Sequence, residues 1–220
     1  MSEKVQRYTD VCLLVVARVD REGRSGCFQA VTPFAAVSEV EGLAQEVTRE
    51  EARTGVVIVE HVDDAVLRYY RPCQVDLEEM EDSKALVCHV PGTPRPQALS
   101  LYLDDALLGH VKPTAELTVP YDLTLTRTET PGGKMFGLEW KSEMPKGSCF
   151  YGVRLVLGTR ALIVSQRLPY RNQWFSWPGE DLPEEVTVEL TAHNGFELVQ
   201  VTTTLPVPRH KEPLACLVEV

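Results

Sequence analysis

The stretch VTVELTAHNGFELVQVTTTL, Val186–Leu205, alternates apolar and polar residues, breaks at His193, Asn194 and Gly195, and then resumes the alternation. Successive side chains of a strand point to opposite faces, so Val186, Val188, Leu190 and Ala192 share one face, and Thr187, Glu189, Thr191 and His193 share the other. One face is core and the other is wet. Asn194 and Gly195 tolerate the positive φ that a tight hairpin demands, so the chain is expected to return as an antiparallel neighbour. Upstream, strand-like runs recur at Leu99–Leu103, Leu107–Val111, Leu117–Val119, Leu123–Thr128, Phe136–Lys141, Tyr151–Leu157, Ala161–Leu168 and Gln173–Trp177. Turn signals separate them at roughly the 8 to 12 residues expected of a sandwich or barrel.

The first ninety residues carry a different mixture. DVCLLVVARVDREGRSGCFQAV, Asp10–Val31, reads as two strands around a polar turn, Arg21–Gly26. Ser38 stands three residues before Glu41, the spacing of a capping box. Val40, Leu43, Ala44 and Val47 follow at helical intervals, so a helix is expected here, closed by Gly55. VVIVE at 56–60 and the run Ala85–Val90 are expected strands. PGTPRPQ, 91–97, packs three prolines into seven residues and is the expected linker, because proline neither donates to a ladder nor continues a helix. The fold class that follows is mainly β with one helix: an α+β domain over 1–90 and an antiparallel β-sandwich domain over 98–208.

At 220 residues, 44% apolar and 25% charged, the chain has an ordinary globular composition and needs no covalent staple. Its net charge of -10, from 32 acidic against 22 basic side chains, repels phosphate backbones, so no nucleic acid is expected as a partner. The only apolar run near the N-terminus, Val11–Ala17, is too short to span a membrane and is not followed by a cleavage site. No membrane partner, a soluble protein and a cytoplasmic location are expected. Cys12, Cys27, Cys73, Cys88, Cys149 and Cys216 could pair as three disulfides. The expectation is six free thiols, since a chain of this size needs no cross-links and free cysteine is commonly buried.

From about Pro113 to Pro208 the order of segments, LTLTRTETPGGKMFGLEW (123–140), YGVRLVL (151–157) and PGEDLPEEVTVELTAHNG (178–195), resembles fibronectin type III and related immunoglobulin-like sandwiches. The shared features are a strand, a proline-glycine turn, a strand carrying Trp140, and a late hairpin of the form Ala-x-Asn-Gly. The resemblance implies a binding or scaffold module with no catalytic residues. Residues 1–90 resemble no familiar family.

Catalytic signatures are missing from the sequence: it contains no GxxxxGK[ST] loop, GxGxxG turn, HExxH helix or GxSxG elbow. Cys88 and His89 are adjacent, but neighbours in a strand point to opposite faces, so they form a nucleophile–base pair only with partners from elsewhere. With Cys73 they lack the close CxxC pair of structural zinc sites, and no metal and no cofactor is expected. The acidic run Asp76, Glu78, Glu79, Glu81 and Asp82 lacks the glycine of a calcium loop and reads as a solvated face. The segment RLPYRNQWFSWPG, 167–179, stands apart. In an extended strand Trp174 faces one way while Phe175 and Trp177 face the other, and packing hides only one side. Either a neighbouring loop or the first domain covers the second side, or Trp174 or Trp177, with Arg167, Tyr170 and Arg171 around it, is a contact surface, since Trp, Tyr and Arg are enriched at interface hot spots. The function expected is non-catalytic: a protein-protein interaction or scaffold protein that binds a protein partner or a second copy of itself. The alternative is an enzyme that uses Cys88 and His89.

Overall fold

The computed structural model describes residues 3–8, 11–20, 22–35, 44–75, 83–91, 95–130, 133–177 and 182–209. Strand makes up 70% of them, and among them there is no helix of seven residues or more. The protein is all-β, which overturns the α+β reading of its first part. Ala44 and Val47, expected on a helix, lie in a short strand, Ala44–Val47, whose residues pair antiparallel with Pro72 and Tyr69. Spacing over four apolar positions is weak against a neighbouring strand that satisfies every backbone group it pairs with. Ser38 and Glu41 lie outside the described residues. A capping box does form, between Thr48 and Glu51: the Thr48 N–H donates to Oε2 of Glu51 at 2.8 Å and the Glu51 N–H to Oγ1 of Thr48 at 3.3 Å. It opens a single 3₁₀ turn, Glu51–Arg53.

The chain divides into two compact units. One comprises Tyr8–Glu116 with His193–Leu198, and the other Met1–Arg7, Leu117–Ala192 and Val199–Val220. In the first, β2 (Val11–Asp20), β3 (Gly26–Ala35), β4 (Ala44–Val47), β5 (Val56–Val62), β6 (Ala65–Val75), β7 (Ser83–Val90), β8 (Ala98–Leu103) and β9 (Ala106–Val111) form one sheet. Its order is β3-β2-β7-β6-β5-β8-β9, with β4 on β6. Two hairpins turn on Asp63–Asp64 and Asp104–Asp105, all four with positive φ, which is what a two-residue primed turn requires. The sheet curls until β3 and β9 approach one another. A Cβ on Gly109 would lie 3.5 Å from the Gly26 carbonyl oxygen, a separation that a larger residue would fill.

Strict alternation along β2 places Val11, Leu13, Val15, Ala17 and Val19 inside, together with Ile58, Tyr70, Leu86, Cys88, Leu99, Leu101 and Phe196. A second, smaller apolar cluster, Val47, Ala52, Val57 and Val59, lies on the other face of β5, with Tyr69 and Tyr102 packed on it. Of the proline-rich segment, residues 92–94 lie outside the described residues. Its end is tied down: the Gln97 N–H donates to the His61 carbonyl at 2.9 Å, and the Gln97 amide donates to Asp63 at 2.9 Å.

The other unit holds two sheets. β1 (Lys4–Tyr8), β12 (Phe150–Leu157), β13 (Arg160–Leu168), β15 (Glu185–His193) and β16 (Leu198–Pro206) assemble in the order β1-β16-β15-β12-β13. β10 (Tyr121–Thr130), β11 (Gly133–Lys141) and β14 (Asn172–Ser176) assemble as β10-β11-β14. Val186, Val188, Leu190 and Ala192 are all at most 2% exposed, as expected of the core face, whereas Thr187, Glu189 and Thr191 opposite them are half-buried and His193, expected on the wet face, is buried. Trp140 of β11 meets Tyr151 of β12 edge-on at 5.2 Å, which joins the two sheets through their buried faces. Leu117–Val119, expected as a strand, lies in the connection between β9 and β10 and belongs to neither strand. Leu117 is buried, and Arg7 donates to its carbonyl at 3.3 Å.

The loop after β15 is longer than a two-residue turn. Asn194 Oδ1 accepts from the N–H groups of Phe196 and Glu197 at 3.0 and 2.9 Å, and Gly195 alone takes a positive φ, 96°. The side-chain carbonyl thus replaces a backbone turn.

Candidate functional site

The aromatic segment resolves through its register. β14 pairs antiparallel with β11, so that Phe136 faces Phe175 and Gly137 faces Trp174. Phe136 is fully buried, and the rings of Phe175 and Trp177 lie 6.0 and 5.1 Å from it, so both belong to the packed side of the strand. Trp174 is on the opposite side and is 39% exposed. Its indole lies flat over Gly137: a Cβ there would stand 2.9 Å from Cη2 and 3.0 Å from Cζ3, and 3.0 Å from Thr126 Oγ1. Gly137 therefore makes the seat of the ring, as an isolated strand glycine does where something approaches closely.

Around Trp174 that outer face is polar. The register sets Thr126, Gly137 and Trp174 in one row, Thr128, Met135 and Ser176 in the next, and Thr124, Glu139 and Asn172 on the other side. Ser176 Oγ donates to Met135 Sδ at 3.2 Å. One half-exposed aromatic thus stands among threonine, serine and other polar neighbours, of which Thr128 is buried.

The remaining residues of the expected surface are dispersed. Arg167 lies over the ring of Phe150, 4.5 Å from its centroid, and belongs to the sheet of β12 and β13. Arg171 donates to the Met144 carbonyl, while its own carbonyl accepts from the Trp140 N–H at 3.1 Å, so it acts as a clamp on the turn before β14. Tyr170 is 68% exposed. Trp177 is turned inward. What the structure brings together is Trp174 with Gly137 and Thr126, and neither of the latter two is conspicuous in the sequence except through the glycine inside a strand.

Cys88 and His89 are not brought together. Cys88 faces Val15 in the core with no exposure, and burial, with Cys73 nearby, pushes its thiol up to about 12. A thiol there is a packing group and not a nucleophile. His89 points to the other face, with its ring 5.4 Å from Phe34 and its proton affinity lowered by burial. The acidic run Asp76–Asp82 lies outside the described residues.

A polar cluster that the sequence does not announce occurs on β5, β8 and β9. Ser100 Oγ sits between His61 Nε2 at 2.9 Å and His110 Nδ1 at 3.0 Å. The hydroxyl can donate to one ring and accept from the other. Ser100 is 2% exposed, out of reach of a substrate, and burial together with the neighbouring His110 holds His61 below its ordinary range. Among the described residues, no group of three or more His, Cys, Asp or Glu is placed to hold a metal ion, and no helix is long and apolar enough to cross a membrane. The chain matches no protein-family model and no curated protein.

Proposed function

We propose that this chain is a non-catalytic interaction protein whose second unit is an immunoglobulin-like sandwich of the fibronectin type III kind, and that it grips a protein partner through the outer face of β10, β11 and β14. Strand order supports the sandwich. Counted from β10, the first, second and fifth strands share one sheet and the third, sixth and seventh the other, the division found in immunoglobulin-like domains. The fourth, β13, joins the sheet of the third, and β1 adds an edge beside the seventh.

The observation that carries the binding reading is Trp174. Its neighbours Phe175 and Trp177 are used for packing, whereas Trp174 is seated over Gly137 and remains 39% exposed. A fixed aromatic loses little conformational freedom on binding, and such residues dominate interface energetics. None of the five described cysteines is in a disulfide, which accords with a reducing, cytoplasmic setting.

The reading is tested by retaining partners from the cell of origin on wild-type protein and on Trp174→Ala, with sedimentation of both to detect self-association. The proposal expects a stoichiometric partner, or a second copy, held by wild type and lost from a folded Trp174→Ala. Equal retention by both, with equal sedimentation, would overturn it.

A further inference from the structure

We propose that the first unit carries a separate binding site for a small apolar carboxylate, on the outer face of β5, β6 and β8. A cavity of about 360 Å³ opens there, within the range of roughly 300 to 1,000 Å³ typical of small-molecule sites. Val57 and Val59 line its floor and are only 1% and 3% exposed, with Ala52 of the 3₁₀ turn beside them. The register places Tyr69 across from Val59 and Tyr102 across from Val57, so the two rings flank β5 diagonally. The result is an apolar floor between two amphipathic aromatic walls.

The charge at its mouth selects the ligand. Arg49 and Arg53 both line the cavity, and neither forms an ion pair with any described side chain, including Asp105, the one carboxylate in the lining. In a chain of net charge -10, two guanidiniums over an apolar cavity, without an ion-pair partner among the described residues, invite an anion. Two positive charges against one negative leave a single positive charge to be balanced, which fits a monoanion. A guanidinium fork matches the two oxygens of a carboxylate, and the apolar floor takes its hydrocarbon body.

The arginines stand on a braced support. Thr48 and Glu51 close the capping box beneath them, and Arg71 reaches across to donate to the carbonyls of Glu51 at 2.9 Å and Thr54 at 3.2 Å. Arg71 is thus occupied in holding the turn, while Arg49 and Arg53 on the same turn are left for the ligand. A site held by such supporting hydrogen bonds is pre-organised and binds without first ordering a loop.

Calorimetric titration with 1-naphthoate, and with 1-naphthalenemethanol as its uncharged counterpart, tests this. The expected result is one saturable site for naphthoate, at least about tenfold weaker binding of the alcohol, and about tenfold losses in Arg49→Gln and Arg53→Gln, as expected when a charge-assisted pair is removed. Arg24→Gln, at an exposed arginine elsewhere, should bind as wild type, and all variants should melt where wild type does. Equal binding of the alcohol, undiminished binding by both arginine variants, or no saturable binding of naphthoate at roughly millimolar concentration overturns the proposal.

Discussion

Replacing Glu60 by glutamine is expected to stabilise the protein at neutral pH. Glu60 lies on the inner face of β5 with no exposed surface. Its Oε2 accepts from the Tyr70 hydroxyl at 2.8 Å, and Arg68 stands 3.9 Å away, while Oε1 has no hydrogen-bond partner. Burial is the largest influence and raises the carboxyl above its ordinary 4.5, against the lowering effects of Tyr70 and Arg68. A glutamine keeps the acceptor for Tyr70 and removes the charge. Leaving a buried polar group unsatisfied costs about 1 to 3 kcal/mol, more if it is charged, so a gain of about 1 kcal/mol survives the unpaired amide N–H₂ that replaces Oε1. That raises Tm by roughly 2 to 8 °C, depending on whether the chain melts whole or by units.

The sign with pH follows from linkage. A carboxyl whose folded pKa exceeds its unfolded one binds more protons when folded, so its penalty is absent below the unfolded 4.5, grows as pH rises from there to the folded value, and is constant above it. Melting curves of both proteins between pH 4 and 8 should therefore coincide towards pH 4, separate as pH rises from 4.5 to the raised value, and stay apart above it. A Glu60→Gln protein less stable than wild type at pH 7, or a difference independent of pH, would refute the reasoning.

Two further outcomes follow from the same kind of argument. In native protein a thiol reagent at neutral pH should label the exposed Cys27 first and leave Cys88 untouched until the chain unfolds, as mass spectrometry of timed samples would show. His61, held low by burial and by His110, favours its neutral form when folded. The stability it confers is present above its ordinary 6.5 and is lost as pH falls below that value, so Tm should drop as pH falls below 6.5 in wild type and less steeply in His61→Gln.

Strands that bury one face were readable because their residues alternate: Val11 to Val19 in β2 and Val186 to Ala192 in β15 bury every second residue and leave those between them only partly covered or exposed. β6 was not, because it changes partners along its length. Tyr69 and Tyr70 pair with β5, Cys73 and Gln74 with β7, and Tyr69 to Pro72 also with β4, so no single face is buried throughout. The same sharing hid the β4 strand behind a helical spacing of Ala44 and Val47. Tyr70 and Glu60, a polar pair inside the core, break the pattern again. The direction of Trp174 depended on which of two opposite faces the register assigned to Gly137, which a single strand does not disclose. Arg49, Arg53, Tyr69 and Tyr102 converge from a loop and two strands and form no motif at all.

The account stands most directly on the opposite orientations of Trp174 and Trp177. Melting temperature and partner retention, measured together on Trp174→Ala and Trp177→Ala, read both. Trp177→Ala should lose about 3 kcal/mol of stability, since its ring packs on Phe136, whereas Trp174→Ala should melt close to wild type and lose its partner by at least about 2 kcal/mol. A Trp174→Ala protein that is destabilised as heavily as Trp177→Ala, or that is stable and still holds every partner wild type holds, would contradict it.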